Sequence, residues 1–396
     1  MSLIAEQSRL AKLVSYRSAE SNTTPLSLAQ EMVSKIPQEV IKNRDSKYLD
    51  PCAGTGTFLA ALYERLVDYH GIGSSDHILN NQLYAHELTA TNVKILKKVG
   101  FKNIERVDFL NTESEMKYDV VIGNPPYNED KSSHSSRGSK SLYIPFTEKA
   151  MKQSKGSVLF VVPHTWMISF KKEAISLRTN MVEFGIESVT HAGKNVFGPD
   201  ISVNPVIVNL KKGSSPVFKY KRPYLENGVE MISPELSIDT SLNQGFFPLV
   251  FDSDSERLAR DMRVNRNSLK IKKGYVKVPK GYKGSEGSNE LFVSSKTGVV
   301  KTDLNTDHPH TDLYKVNYAY LTGMQDPLYK EDLIRDLAIV GPGVAITDKN
   351  KYIPCSSKEE AELLYSQLSS EDTRKRLNCL SRGSSLENWM INSLPL

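Results

Sequence analysis

Between residues 47 and 213, strand-like runs alternate with stretches whose apolar residues recur every three or four positions. "KYLDP" (47–51), "NQLYAHEL" (81–88), "FKNIERVDFL" (101–110), "YDVVIGNPPY" (118–127) and "GSVLFVVP" (156–163) predict strands. "TFLAALYERLVDYH" (57–70), "TATNVKILKKVG" (89–100, stopped by Gly100) and a stretch around 143–154 predict helices. "IESVTHAG" and "NPVIVNLKK" add two strands before residue 213. Such alternation implies an α/β fold with a doubly wound, mostly parallel sheet and helices on both faces. In such a sheet a ligand sits at the carboxyl ends of the strands.

After about residue 213 the pattern changes to short strand-like pieces rich in Tyr, Lys and Gly, with loops such as "PKGYKGSEGSNE" (279–290). Helical spacing with Ser caps returns in "SSKEEAELLYSQLSSEDTRKRLNCL" (356–380). The expected division is therefore a first domain over 1–212 and an α+β domain over 213–396. Residues 128–140, "NEDKSSHSSRGSK", have no period and are expected to form a mobile loop. The first twenty residues have the spacing of an amphipathic helix and lack the apolar core of a signal peptide.

Composition narrows the class without choosing a function. Hydrophobic residues at 39% and charged residues at 24% are ordinary for a globular protein. No apolar run reaches membrane-spanning length. Three cysteines at wide spacing offer neither a disulfide framework nor a zinc pattern, and suit a reducing cytoplasm. The net charge of +5 is unevenly spread: from Arg257 to Lys283 there are ten Lys or Arg residues against Asp261 alone. That stretch is either a solvated basic face or a phosphate-contacting surface, in which Arg257, Arg260, Arg263, Lys272, Lys273, Lys277, Lys280 and Lys283 are the candidates.

Candidate chemistry gathers at the predicted strand ends. After the first strand, "DPCAGTGTFLAAL" places Gly54 and Gly56 in a turn that lets backbone approach a ligand, with Asp50 before it able to hold an ammonium. Glu87 ends the second strand, where a carboxylate can accept from both ribose hydroxyls. Asp108 and Phe109 end the third, an acceptor for an amino group beside a ring that can stack. The fourth strand runs into "GNPPY". Two prolines cannot continue a strand, so Pro125 and Pro126 make a stiff corner after Asn124. The Asn124 side-chain oxygen and the Pro125 carbonyl can both accept from one –NH₂ group, with Tyr127 as a π-face above it.

In this order the motifs resemble those of S-adenosylmethionine-dependent N6-adenine DNA methyltransferases of the gamma arrangement, over roughly residues 18–212. "SNTTPLSLAQEM" resembles their amino-terminal motif, with Thr24 and Pro25; Asp50, Pro51, Ala53, Gly54 and Gly56 match the cofactor loop. Glu87 matches the ribose carboxylate, Asp108 and Phe109 the adenine clamp, and Asn124, Pro125, Pro126 and Tyr127 the catalytic tetrapeptide. "SLYIPFTEKAMK" and "GSVLFVVPHTWM" resemble the next two blocks, and "NVFGPDISVNPVIVNL" the block whose Phe, here Phe197, packs on the target base. The 37 residues from Asp50 to Glu87 exceed a minimal βαβ step.

The resemblance implies a Rossmann-like class I methyltransferase domain, S-adenosyl-L-methionine as cofactor and a carboxy-terminal DNA target-recognition domain. It implies double-stranded DNA as partner, an adenine flipped out between Tyr127 and Phe197 with Asn124 at the cofactor as well, no metal and no membrane. Room is left for a separate restriction endonuclease within a restriction-modification or phage system. An amide –NH₂ of protein glutamine, or an RNA base, would suit the same tetrapeptide, and a catalytically dead DNA-binding specificity protein is a third reading.

Overall fold

The computed structural model describes residues 24–128, 140–193, 196–197, 205–226, 229–240, 246–250, 252–262, 267–319, 334–380, 386 and 388–396. The amino-terminal amphipathic stretch, nearly all of the Ser-rich insertion, and Arg263 lie outside the described residues. The chain forms two compact units, the first ending at Lys221 and also taking in Ser237–Ser241, the second comprising Arg222–Leu236 and Leu242–Leu396.

The first unit opens with helices α1 (Leu26–Ser34) and α2 (Gln38–Lys42). A parallel wound region follows: β1 (Tyr48–Asp50), α3 (Thr57–His70), β2 (Leu83–Glu87), α4 (Ala90–Val99), β3 (Asn103–Arg106) and β4 (Tyr118–Gly123). It continues with α5 (Tyr143–Gln153), β5 (Ser154–Pro163), α6 (Thr165–Ile168), α7 (Lys172–Phe184), β6 (Ile186–His191), β7 (Pro205–Lys211) and β8 (Val217–Lys221). A hairpin of β9 (Pro223–Glu226) and β10 (Val229–Ile232) belongs to the second unit, and β11 (Leu236–Asp239) joins the first sheet. The long Asp50–Glu87 step is accounted for by short helical turns (Ile72–Ser74, Ser75–His77, Ile78–Gln82) between α3 and β2.

The nine strands run in the order β11-β8-β6-β7-β5-β4-β1-β2-β3. β7 alone among β1–β8 opposes its neighbours, pairing antiparallel with both β5 and β6. That order, with one reversed strand, is the Rossmann-like class I methyltransferase fold. The strand order reverses between β1 and β4, which pair in parallel at Leu49↔Val121. A crevice at their carboxyl ends is therefore expected.

Apolar spacing explains why α3 sits where it does. Leu59, Leu62 and Leu66 are fully buried on one stripe. Each contributes roughly 1.5–3 kcal/mol relative to an exposed side chain. β4 and β5 are buried almost throughout, as sheet strands covered on both faces must be.

The second unit mixes small sheets with helices. A four-stranded sheet has the order β12 (Lys272–Lys273), β18 (Asn350–Cys355), β15 (Tyr314–Ala319), β16 (Ala338–Val340). A three-stranded one has the order β14 (Gly298–Thr302), β13 (Asn289–Ser294), β17 (Val344–Ile346). Among the described residues its helices are α8 (Ser253–Arg260), α9 (Lys358–Ser369), α10 (Glu371–Asn378) and α11 (Asn388–Asn392). The Ser caps behave as the sequence suggests: Ser357 Oγ accepts from Glu360 N–H and Ser370 Oγ from Thr373 N–H, each at 3.2 Å.

Candidate active site

At the carboxyl ends of β1, β2 and β4 lies a cavity of about 720 Å³. It is lined by Pro51, Cys52, Glu87, Leu88, Val107, Asp108, Phe109, Leu110, Asn124, Pro125, Pro126, Tyr127, Leu142, Phe146 and Phe197. Residues from the glycine loop, the second and third strand ends, the Pro-Pro corner and the Phe197 block thus converge on one space. Thr24, Pro25, Asp50, Ala53, Gly54 and Gly56 stand back from its wall.

The glycine turn is held by hydrogen bonds. Gly54 and Gly56 take φ of 53° and 95°, a region that disfavours any Cβ. Glu87 reaches across to accept from Gly54 N–H and from Thr89 N–H, both at 2.7 Å. Its carboxylate fixes the turn and retains lone pairs facing the cavity it lines. Asp50 Oδ1 accepts from Cys52 N–H at 3.1 Å, while Oδ2 is buried with no partner among the described residues. Burial, with the nearby Glu87 charge, pushes the Asp50 carboxyl up to about 8 against the pull of the Cys52 N–H.

Gly123 supplies a packing rule that sequence reasoning misses. A Cβ there would sit 3.0 Å from Asp50 Oδ1 and 3.3 Å from Pro51 Cδ. The strand end of β4 therefore closes directly onto the cofactor loop. Cys52 also lines the site, and burial with the Asp50 and Glu87 charges pushes its thiol well up, so it stays protonated.

At the Pro-Pro corner, Asn124 Nδ2 donates to Thr24 Oγ1 at 3.2 Å, and Asn124 Oδ1 is buried without a partner among the described residues. The Tyr127 carbonyl accepts from Leu142 N–H at 2.9 Å, and Asn128 bridges Ser141. The corner is thus pinned on both sides of the Ser-rich insertion. The Tyr127 hydroxyl is buried without a partner among the described residues, and burial pushes its pKa up. Phe197 is half-buried against the core and lines the same cavity.

Asp108 and Phe109 are more deeply engaged than free ligand groups would be. Asp108 accepts from Leu110 N–H at 3.0 Å and from Asn111 Nδ2 at 2.7 Å. The Phe109 ring is 2% exposed, packed 5.2 Å from Phe146 and 5.8 Å from His86. Lys149 lies 5.2 Å from its centroid and donates to the Leu110 and Thr112 carbonyls, which anchors this wall. Phe146 and Leu142 come from the "SLYIPFTEKAMK" block, whose side chains sequence reasoning does not single out.

The basic stretch divides. Arg257 pairs with Asp254 and Arg260 with Glu256, each at 2.7 Å, along α8. Both acids stand just upstream of the residues whose charge looked unopposed. Lys375 on α10 also reaches Asp254 at 2.6 Å, so this end is a neutralised helix face. Lys272, Lys273, Lys277, Lys280 and Lys283 are exposed, and the structure records no ion pair to them among the described residues.

The polar inventory fits S-adenosylmethionine. A buried carboxyl oxygen without a partner suits its ammonium, a strand-end carboxylate its ribose, and an apolar wall of Val107, Phe109, Leu110 and Phe146 its adenine. The volume lies within the roughly 300–1,000 Å³ of small-molecule sites. Among the described residues no group of His, Cys, Asp and Glu is arranged to hold a metal ion, and no helix is long and apolar enough to cross a membrane.

Known proteins match parts of the chain. The chain is 32% identical over 106 residues to the type II methyltransferase M.VspI of Vibrio sp. (strain 343), covering 26% of this chain and 24% of that one. It is 25% identical over 194 residues to the type II methyltransferase M.TthHB8I of Thermus thermophilus, covering 43% and 40%. The matched segments thus span less than half of those relatives. Among solved structures, the type IIG restriction endonuclease BpuSI superposes with TM-score 0.49 at 12% identity, over 94% of this chain and 58% of that one. A modification subunit of a putative type I restriction enzyme from Vibrio vulnificus YJ016 gives TM-score 0.43 at 16% identity, over 52% and 48%. The fold assignment rests on the strand order. Residues 13–197 match the family described as Eco57I restriction-modification methylase, and the unit that carries the cavity has the class I methyltransferase strand order, with S-adenosylmethionine as its cofactor.

Proposed function

We propose that this protein transfers a methyl group to N6 of adenine in double-stranded DNA, at a specific sequence, within a restriction-modification or phage setting. One observation carries the reading most: the buried Asn124 Oδ1 at the cavity rim, which has no partner among the described residues, beside a corner stiffened by two prolines. An acceptor in that position suits an incoming –NH₂ donor, because leaving it unpaired is costly.

The adenine amino nitrogen is a poor nucleophile, since its lone pair is delocalised into the ring. Asn124 Oδ1 and the Pro125 carbonyl accept from its two hydrogens and favour a tetrahedral nitrogen. That would direct the lone pair at the cofactor's methyl carbon, so that the S–CH₃ bond breaks with its electron pair left on sulfur as the N–C bond forms, and the methylated amino group then gives its extra proton to water. Bound S-adenosylmethionine supplies an electrophilic methyl on a sulfonium. Asp50 holds its ammonium and Glu87 its ribose, while Val107, Phe109, Leu110 and Phe146 exclude water around its adenine. Catalysis is then positioning and electrostatics.

A duplex hides the amino group, so the target base leaves the stack and lies between Tyr127 and Phe197, which line the same cavity. The carboxy-terminal unit recognises DNA, with Lys272, Lys273, Lys277, Lys280 and Lys283 on phosphates. Two experiments test the reading: long-read sequencing of DNA from cells expressing the protein, and nucleoside analysis of plasmid methylated in vitro. N6-methyladenine at one short motif is expected; label in protein, RNA or cytosine contradicts it.

A further inference from the structure

The second unit contains a loop held more rigidly than its length requires. Residues 306–313, "TDHPHTDL", lead into β15, whose second residue, Lys315, is fully buried. Its ammonium donates to the carbonyls of His310 at 3.1 Å, Thr311 at 2.9 Å, Leu313 at 2.5 Å and Gly341 at 3.3 Å. Among the described residues no carboxylate is bonded to it, and three of the four acceptors belong to the loop itself. Burial pushes its pKa down to about 8, so at pH 7 it is mostly charged. The Thr311 hydroxyl donates to Thr306 O and its carbonyl accepts from Gly343 N–H, both at 2.9 Å. Pro309 fixes φ between the two histidines.

What the loop holds still are two imidazoles. His308 stacks on Tyr275 with centroids 3.9 Å apart and planes at 10°. Its Nδ1 accepts from His310 N–H at 3.2 Å, which leaves the neutral ring's proton on Nε2. His310 Nδ1 bonds the Tyr352 hydroxyl at 2.8 Å, and Tyr275 hydroxyl bonds Thr311 Oγ1 at 2.9 Å. Neither Nε2 has a hydrogen-bond partner among the described residues, and both rings are half-exposed. The charged groups around them are Lys272 and Lys315 together with the loop's own Asp307 and Asp312; Tyr275 and Tyr352 are the neighbouring phenols. Lys272 and Lys273 extend the same neighbourhood through β12, which pairs with Tyr352 and Lys351 of β18.

Resting on the reading that duplex DNA is the substrate, we propose that this loop reads bases: His308 donates from Nε2 to an acceptor atom on a base edge, His310 presents its own Nε2 to a neighbouring base edge, and Lys272 and Lys273 neutralise the adjoining phosphates. Long exposed lysines position a duplex without reading it, whereas discrimination needs donors at fixed places. Purine N7, guanine O6 and thymine O4 are the acceptors a groove presents to an imidazole N–H. The partner is therefore a stretch of the recognition sequence that presents purine N7, guanine O6 or thymine O4 in the groove, read by the loop and its Tyr275 platform.

The test uses the full chain, expressed in cells whose DNA is then read for methylated motifs. His308→Ala and His310→Ala should each keep methylation but make at least one motif position degenerate, with unchanged KM for S-adenosylmethionine. Joint Lys272→Ala and Lys273→Ala should slow methylation at all sites alike and leave the motif intact. His308→Gln, which keeps a donor at a different reach, should change the preferred base rather than remove the preference, and it decides the matter if an alanine variant fails to fold. An unchanged motif in all three histidine variants overturns the proposal. Wild-type protein that leaves DNA unmethylated overturns the functional reading itself, a result distinct from a fixed motif.

Discussion

The corner at Asn124–Tyr127 and the loop at 306–313 are both short and proline-containing, and they are stiffened by different means. In the first, stiffness is covalent: two consecutive prolines follow a strand, and Gly123 lets β4 press against Asp50 and Pro51. In the second it is electrostatic: a buried ammonium gathers four carbonyls. Covalent stiffness is visible in the residue order. A chelated loop is not, because its acceptors are backbone atoms that any residue carries.

The largest expected effect breaks the first corner. Asn124→Ala should lower turnover by about 10²–10³-fold, the scale of losing one preorganised hydrogen-bonding group. Cofactor binding by calorimetry should remain nearly intact; equal loss of both would make the residue structural. Breaking the second loop should register in stability. Lys315→Met leaves buried carbonyls short of a donor and should cost about 1–3 kcal/mol. Thermal unfolding measures that loss, and an unshifted melting temperature would mean the clamp contributes nothing.

A subtler contrast lies in pH. Asp50 carries its proton up to about pH 8 in the free protein. An ammonium needs the carboxylate, so acidification below 8 should weaken cofactor binding, approaching about tenfold per pH unit. The acid limb should vanish in Asp50→Asn. Above pH 8 the gain should stop, because a free α-amino group loses its own proton near about 7.7–8.0. A flat titration of wild-type binding between pH 6 and 8 would remove Asp50 from the ammonium site.

The smallest effects separate the two ends of the basic stretch. Neutralising Lys272, Lys273 and Lys277 together should flatten the salt dependence of DNA binding by up to about 0.9 for each phosphate left without its lysine. Arg257→Ala and Arg260→Ala, whose partners are Asp254 and Glu256, should leave that slope where it is. A slope that responds to the arginines and not to the lysines would reverse the assignment.

Much of the first unit was legible because its burial follows simple periods. The 57–70 spacing returns as α3, and the apolar runs at 118–123 and 156–163 return as buried central strands. Convergence of Glu87, Asp108, Asn124, Tyr127 and Phe197 on one cavity followed from parallel strands ending on the same side. Three features were not legible. Gly123 matters through an atom of Asp50, 73 residues away in sequence. The engaged state of Phe109 depends on Phe146 and Lys149 from a later helix. Arg257 and Arg260 looked unopposed because the charge window opened just after the acids that pair with them.

The most direct test of the central claim is nucleoside analysis of plasmid DNA incubated with the purified chain and methyl-labelled S-adenosylmethionine. The account predicts label in N6-methyladenine, lost in Asn124→Ala. Label confined to protein, RNA or cytosine, or none with intact cofactor binding, would contradict it.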